Sequence, residues 1–334
     1  MFTKNCMSVV TILAVAVVFA LLGHALPARG ELYVSAGSGG QGTIYEYSNT
    51  GTLITSWSSP AGGQALAIDG NYLYAGQRAG TGNLWRYNLD GTGGTNLGHC
   101  NTTGYDIRGL AVYGGNVYVS SQASPGPVGF WRAPLATYSA GPNVTFNSGS
   151  LTGSQVAVDA LNSKVYEAHD SGTAIEVYNL DGTGHTAIDV TGTSGTCVTV
   201  AVDPANGLMY YATGSGTPKL WRANLDGSSA VQISNTIVSG WGWGPASLAL
   251  DVAGDRIFGT DIGGGHKGVI VYSGVRTAGL NALTPTVFVN PGSTLDTGGI
   301  AYLAPVAEPI PEPCTLVLVA TGLVGLLPRF RRRV

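Results

Sequence analysis

Residues 201–233 read AVDPANGLMYYATGSGTPKLWRANLDGSSAVQI. Thr199 to Asp203, which runs into this stretch, alternates apolar and polar side chains with the period of a half-buried strand. Asp203-Pro204-Ala205-Asn206-Gly207 is a tight turn, and Met209-Tyr210 opens an aromatic second strand. After a Gly/Ser-rich loop, Leu220-Trp221 marks a third strand. Asn224-Leu225-Asp226-Gly227 then carries the Asp-Gly pair whose positive φ angles suit a two-residue hairpin, and a weaker fourth strand follows. One such unit cannot bury both of its faces, so neighbours of the same kind should flank it.

They do. The first-strand pattern recurs as Ala65–Asp69 (ALAID), Gly109–Tyr113 (GLAVY), Gln155–Asp159 (QVAVD) and Ser247–Asp251 (SLALD). Second strands follow at Leu73-Tyr74, Val117-Tyr118, Val165-Tyr166 and Ile257-Phe258. Third strands follow at Leu84-Trp85, Phe130-Trp131, Ile175-Glu176 and Ile270-Val271. The tetrapeptide NLDG appears at Asn88 to Gly91 and Asn179 to Gly182 as well as in the opening stretch. The period is roughly 46 residues, near the ~40–45 of a four-stranded propeller blade. At the array's ends, Leu32-Tyr33-Val34 and Ile44-Tyr45 supply second and third strands without a first, while Gly299–Leu303 (GIAYL) is a first strand standing alone. Pairing the two closes a ring. The expectation is an all-β, six-bladed β-propeller over residues 31–304, closed by a C-terminal strand so that open sheet edges are paired.

The opening stretch resembles the YWTD repeat, also called the low-density lipoprotein receptor class B repeat, through Asp203-Pro204, Tyr210-Tyr211, Pro218-Lys219-Leu220 and Arg222 to Gly227. The tetrapeptide that names that repeat decays elsewhere, and only Phe258-Gly259-Thr260-Asp261 keeps its aspartate. The resemblance rests on scaffold residues, so it implies the six-bladed fold and carries no ligand specificity.

Both ends of the chain read as addresses. Residues 1–30 have a positive start at Lys4, an apolar run from Val9 to Leu22, and Ala25 or Ala28 as a small residue for cleavage, the anatomy of a signal peptide. An uncleaved anchor is the other reading, but the run is short against the ~20 residues of a spanning helix. Cys6 precedes the apolar run and is no lipobox cysteine. Residues 305–334 contain Pro311-Glu312-Pro313, an uncharged run over 314–327, and a cluster ending Arg331-Arg332-Arg333. As a helix the run would span roughly 21 Å against a ~30 Å hydrocarbon core. Its arginines would stay cytoplasmic. This tail resembles the PEP-CTERM sorting signal of Gram-negative bacteria, over about the last 24 residues. The resemblance implies processing by an exosortase after export, transient membrane association through 314–327, and display at the cell surface or in an exopolysaccharide matrix. An ordinary tail anchor is the alternative.

Composition fits a secreted β-rich chain. Charged residues are only 10%, against ~25% in typical soluble proteins, and glycine numbers 51. Of 16 basic and 19 acidic residues, Lys4, Arg29, four C-terminal arginines, Glu308 and Glu312 leave with the ends. The propeller is therefore net acidic, which argues against nucleic acid as a partner. Cys100 and Cys197 remain in it. Cys100 is expected after the third strand of blade two and Cys197 before the inner strand of blade five, across the ring from each other. Disulfide geometry needs Cα atoms within roughly 7 Å, so the two are expected to stay unbridged.

Loops joining strands two to three and four to one share one face of a propeller, and here they are the longer and chemically richer set. They carry Gln77 and Arg78, His99 with Asp106 and Arg108, His169 with Asp170, Trp241 with Trp243, Asp261 with His266 and Lys267, and Asp296. Each has two readings. His169 and Asp170 make a base with an orienting carboxylate, or solvated loop polarity. Asp261 and His266 begin a metal site, but lack further ligands at useful spacing. The indoles of Trp241 and Trp243 stack on sugars, or plug the space between blades five and six. Asp69, Asp159, Asp203 and Asp251 ring the channel as calcium ligands, or cap the turns that follow them. Trp85, Trp131 and Trp221 share one repeat position and read as blade packing. Ser35 to Thr43 is glycine-rich but lacks the lysine and helix of a phosphate cradle. Neither GxSxG nor a cofactor fingerprint is present, and no metal or cofactor is expected.

The sequence thus points to an exported, exosortase-sorted, non-catalytic propeller that binds exopolysaccharide or a surface protein. The alternative is an extracellular propeller enzyme of the lactonase, lyase or hydrolase kind, whose acids and histidines would converge on the channel. A structural surface protein without a small ligand is a third reading.

Overall fold

Short runs in which every second side chain is apolar form strands. In the computed structural model they do so across residues 30–38, 41–61, 65–77, 82–99, 105–123, 129–147, 153–169, 172–190, 197–213, 219–234, 245–261, 268–289 and 297–304, the residues the structure describes. Blade one contains β1 (Glu31–Ser38), β2 (Gln41–Ser48) and β3 (Leu53–Ser59). Blade two is β4 (Ala65–Asp69), β5 (Tyr72–Gly76), β6 (Asn83–Asn88) and β7 (Thr95–His99). Blade three is β8 (Tyr105–Tyr113), β9 (Asn116–Ala123), β10 (Gly129–Pro134) and β11 (Val144–Asn147). Blade four is β12 (Gly153–Asp159), β13 (Lys164–His169), β14 (Ala174–Asn179) and β15 (Thr186–Asp189). Blade five is β16 (Cys197–Asp203), β17 (Leu208–Thr213), β18 (Lys219–Asn224) and β19 (Val231–Ser234). Blade six is β20 (Pro245–Asp251), β21 (Arg256–Asp261), β22 (Val269–Ser273) and β23 (Thr286–Val289), and β24 (Thr297–Leu303) follows.

The described residues form six four-stranded sheets, and the closing one has the order β24-β1-β2-β3. β24 runs antiparallel to β1, with Leu32 opposite Tyr302 and Val34 opposite Ile300. The all-β, six-bladed, C-terminally closed ring expected from the repeats is the observed fold. Side chains lock the closure at its upper end. The Gly299 N–H donates to Ser35 Oγ at 2.8 Å, and Thr260 Oγ1 donates to the Gly298 carbonyl at 2.8 Å.

The centre of the ring follows a rule the repeat motifs contain. The third residue of every inner-strand motif is alanine: Ala67, Ala111, Ala157, Ala201, Ala249 and Ala301. Each packs against the larger aliphatic residue one step earlier in the next blade's motif, as Ala201 does on Leu248 and Ala249 on Ile300. Six strands converge on one axis, so only one side of each seam can be bulky there. Leu66, Val200, Leu248 and Ile300 are all nearly inaccessible to solvent, each such burial being worth ~1.5–3 kcal/mol.

Farther out, the NLDG turns differ from the two-residue hairpin expected of them. Only the glycine is left-handed, at φ 81° for Gly91, 92° for Gly182 and 85° for Gly227. The Gly91 N–H donates to the Asn88 carbonyl and the Asn88 N–H to the Thr92 carbonyl, which makes a tight turn followed by a bulge glycine. The aspartate side chain, which the two-residue reading placed at positive φ, instead accepts the N–H and hydroxyl of the residue two positions on. A side chain on Gly91, Gly182 or Gly227 would strike Trp57, Val144 or Ile188, on the outer strand of the preceding blade. Blade three lacks the motif, and a 3₁₀ turn, Leu135–Ala140, buries Tyr138 in the blade two–three seam instead.

Third-strand arginines tie successive blades. Arg132 of blade three donates to the Leu180 carbonyl in blade four at 2.6 Å. Arg222 of blade five donates to the Val275 carbonyl in blade six at 3.1 Å and also to that of Arg276. Trp85, Trp131 and Trp221 do pack within the seams, and the Trp221 ring stacks on Tyr211. Cys197 is the first residue of β16. Cys100 lies outside the described residues, and it follows β7, the fourth strand of its blade rather than the third.

Candidate functional site

The channel is bounded by inner strands, and its chemistry is set by their alternation. A cavity of about 270 Å³ lies on the axis, lined by residues of all six blades. Its side chains are aliphatic except for Gln155 and Tyr302. Gln155 sits at the head of its motif, next to a bulge where pairing jumps from Gly153–His169 to Gln155–Ala168. Bulges re-aim the side chains beside them. The equivalent residues are Ala65, Gly109, Thr199, Ser247 and Gly299, all short. The glutamine amide passes blade five to reach blade six, where Nε2 donates to the Leu248 carbonyl at 2.8 Å and Oε1 accepts the Leu248 N–H at 3.0 Å. It caps a channel of largely aliphatic side chains with an amide bonded through both its nitrogen and its oxygen.

Asp159, Asp203 and Asp251, which end their inner strands, serve the turns that follow. Asp159 accepts the Asn162 N–H at 2.9 Å, Asp203 that of Asn206 at 3.3 Å, and Asp251 that of Gly254 at 2.8 Å. Arg256 occupies the second oxygen of Asp251. Among the described residues no group of three or more His, Cys, Asp and Glu is placed to hold a metal ion.

Of the loop-face candidates, Arg78, Asp170, Trp241, Trp243, His266, Lys267 and Asp296 lie outside the described residues, and so does the side chain of Asp261. Pro311, Glu312, Pro313 and the three terminal arginines lie outside them too. Gln77 is structural, since its side-chain oxygen accepts from the Asn83 side chain at 2.9 Å and its carbonyl from the Ile107 N–H of blade three at 3.1 Å. Asp106 and Arg108 lie within β8 rather than in a loop, because the inner strand of blade three starts earlier than its motif, and they come together at 4.0 Å, both partly exposed.

His169 differs from both of its sequence readings. It is the last residue of β13 rather than a loop residue, because Gly153 extends the inner strand to pair with it. It is 2% exposed, and its Nε2 lies 3.5 Å from Oε2 of Glu167, itself 2% exposed. The other carboxylate oxygen of Glu167 receives the Ser120 hydroxyl of blade three. A side chain on Gly153 would occupy the space of that contact. Directly opposite Glu167 on β14 is Glu176, whose Oε2 lies 2.5 Å from Nε2 of the half-exposed His185. Burial pushes the Glu167 carboxyl up to about 8; the Ser120 bond opposes the shift and the Glu176 charge adds to it. The serine hydroxyl meets the carboxylate rather than the imidazole, so the arrangement does not activate a nucleophile in the way a Ser–His–acid relay does.

Sequence reasoning missed Ser120, Gln155, Glu167 and Glu176 as a set. The signal was present in the repeat register. Glu176 holds the position of Trp85, Trp131 and Trp221, and Glu167 that of Ala75, Val119 and Tyr211.

No family model matches the chain, and no curated protein does. Among solved structures, the chain is similar to one titled "Crystal structure of Nidogen/Laminin Complex", at 19% identity and TM-score 0.50, over 71% of this chain and 99% of that one. It is also similar to the putative TolB from Agrobacterium tumefaciens, at 14% identity and TM-score 0.54, over 82% of this chain and 98% of that one. Both likenesses are of fold. They agree with the six-bladed ring of YWTD and TolB-like propellers.

Proposed function

We propose that this chain is an exported, exosortase-sorted, non-catalytic β-propeller that acts as a binding module at the cell surface or in an exopolysaccharide matrix. The observation that carries the non-catalytic part is the capped channel. Propeller enzymes need acids, bases or metal ligands converging near the axis, where among the described residues the lining side chains are aliphatic apart from Tyr302 and Gln155, and the Gln155 amide is bonded to the Leu248 backbone. Residues 1–30 serve export, residues 31–304 form the binding domain, and residues 305–334 are the linker and sorting segment. Pro311-Glu312-Pro313, the run over 314–327 and the arginine cluster support that division. Binding falls to the long loops of one face, with the indoles of Trp241 and Trp243 as stacking platforms for sugars or anchors for a surface protein.

Replacing Pro311, Glu312 and Pro313 by alanine in an exosortase-bearing host should hold the protein in the membrane fraction. Trp241→Ala with Trp243→Ala should weaken retention on the host's own exopolysaccharide at least ~10-fold, with an unchanged melting temperature. Release of reducing ends, unsaturated sugars or opened lactones by the purified wild-type protein would establish the enzyme reading instead.

A further inference from the structure

We infer that blade four is a pH-sensitive element: the buried carboxyl of Glu167, set directly opposite Glu176, holds the seam to blade three closed while it keeps its proton, and loosens it when it ionises.

The internal repeat supplies the control. In blades two, three and five the same two cross-strand positions hold Ala75 with Trp85, Val119 with Trp131, and Tyr211 with Trp221. Blade four substitutes two acids at 2% and 8% exposure. Directly opposed like charges on neighbouring strands destabilise a sheet, and burial multiplies the cost. Two carboxylates sharing one site cannot both ionise cheaply, so one keeps its proton well above the ordinary carboxylate range.

The pair lies on the face that blade four turns to blade three. Val165 and Tyr178, each two residues from a member of the pair on its strand, belong to the same seam as Phe130 and Val156. From blade three, Ser120 meets Glu167, Tyr118 and Phe130 pack alongside, and Arg132 is held at the turn end by the Leu180 carbonyl. From blade four itself, His169 stands beside Glu167, and His185 stands beside Glu176 with its ring stacked on Tyr178. The inner end of this network is His169, where β13 meets the loop-bearing face.

The raised Glu167 carboxyl sets the sign. Between the ordinary value of 4.5 and about 8, the native state holds a proton that the open state releases. Closure of the seam is therefore full in acid and weakens as pH rises through that window, by up to ~10-fold in the opening equilibrium per pH unit.

Hydrogen exchange of the full chain, corrected for intrinsic rates, tests this between pH 5 and pH 8.5. Protection of β13 and β14 amides should fall by roughly tenfold or more over that range, while β17 and β18 hold. Glu167→Gln, close in size and unable to ionise, should abolish the fall. The double variant Glu167→Val with Glu176→Trp, which installs the blade-three pair, should do the same if its core repacks. Equal losses in blades four and five, or a fall that persists in Glu167→Gln, would overturn the inference.

Discussion

The seam between blades five and six and the seam between blades one and two use one strand position in opposite ways. In blade five that position is Arg222, opposite Tyr210, and its guanidinium bonds two carbonyls of blade six. In blade one it is Glu46, opposite Tyr33 and 6% exposed. Among the described residues nothing cationic answers it. Burial, then the charges of Glu31 and of Asp90 in the blade-two turn, push its carboxyl up to about 7. Burial most of all, then the charges of Glu46 and Glu31, raise the Tyr33 phenol, whose hydroxyl donates to Glu31 at 2.9 Å. One seam is latched by a permanent charge, and the other depends on a carboxyl staying neutral. A repeat fold can thus keep its backbone constant while the chemistry of each joint varies.

The comparison breaks most completely if blade one loses its inner strand. Deleting residues 297–304 removes β24 and exposes β1, and cooperative unfolding by circular dichroism should vanish. A deletion variant that melts as the wild type does would mean that blade one holds without closure. Next in size, Arg222→Met keeps the packing stem but strands two carbonyls in the blade five–six seam. A loss of about 1.5–3 kcal/mol in urea unfolding is expected, the usual range for hydrogen bonds to a charged group. The effect should barely depend on pH, which is the contrast with blade one.

Glu46→Gln should have the smallest effect in acid and the most informative one across pH. The native carboxyl holds its proton above the ordinary 4.5, so its contribution is whole below that value and is lost as pH rises through about 7. The glutamine variant should therefore match the wild type below pH 4.5 and exceed it by up to ~3 kcal/mol at pH 8, each pKa unit of the shift being worth ~1.4 kcal/mol. Identical stability-against-pH curves for the two proteins would show that Glu46 finds water or a cation in the folded ring.

The ring was legible because its determinants are local and repeated. Alternation gives the strands, turn residues give their ends, and the unmatched Leu32-Tyr33-Val34 and Gly299–Leu303 give the closure. The NLDG turn was misread in type, since Asp-Gly satisfies two turn geometries and only the backbone decides between them. The acids of blade four were on view in the alignment of repeats. They passed as ordinary strand polarity because alternation says which residues share a face and leaves open whether that face meets solvent or another blade. His169 was misplaced for a related reason, since a bulge opposite it carries the strand one residue farther than its motif implies. The remaining candidates cluster in Gly/Ser-rich loops, where composition carries chemistry but no geometry.

Closure by β24 has a mechanical side as well. Glu31 stands opposite Leu303, so the chain enters and leaves the ring at neighbouring points on one blade. A load applied between those two points falls on the open end of the β1–β24 pair and peels its hydrogen bonds one at a time, the weakest way to stress an antiparallel ladder. A load on one point alone leaves the pair untouched. The ring is fitted to hang from a single tether and is poorly built to serve as a link in a chain under tension.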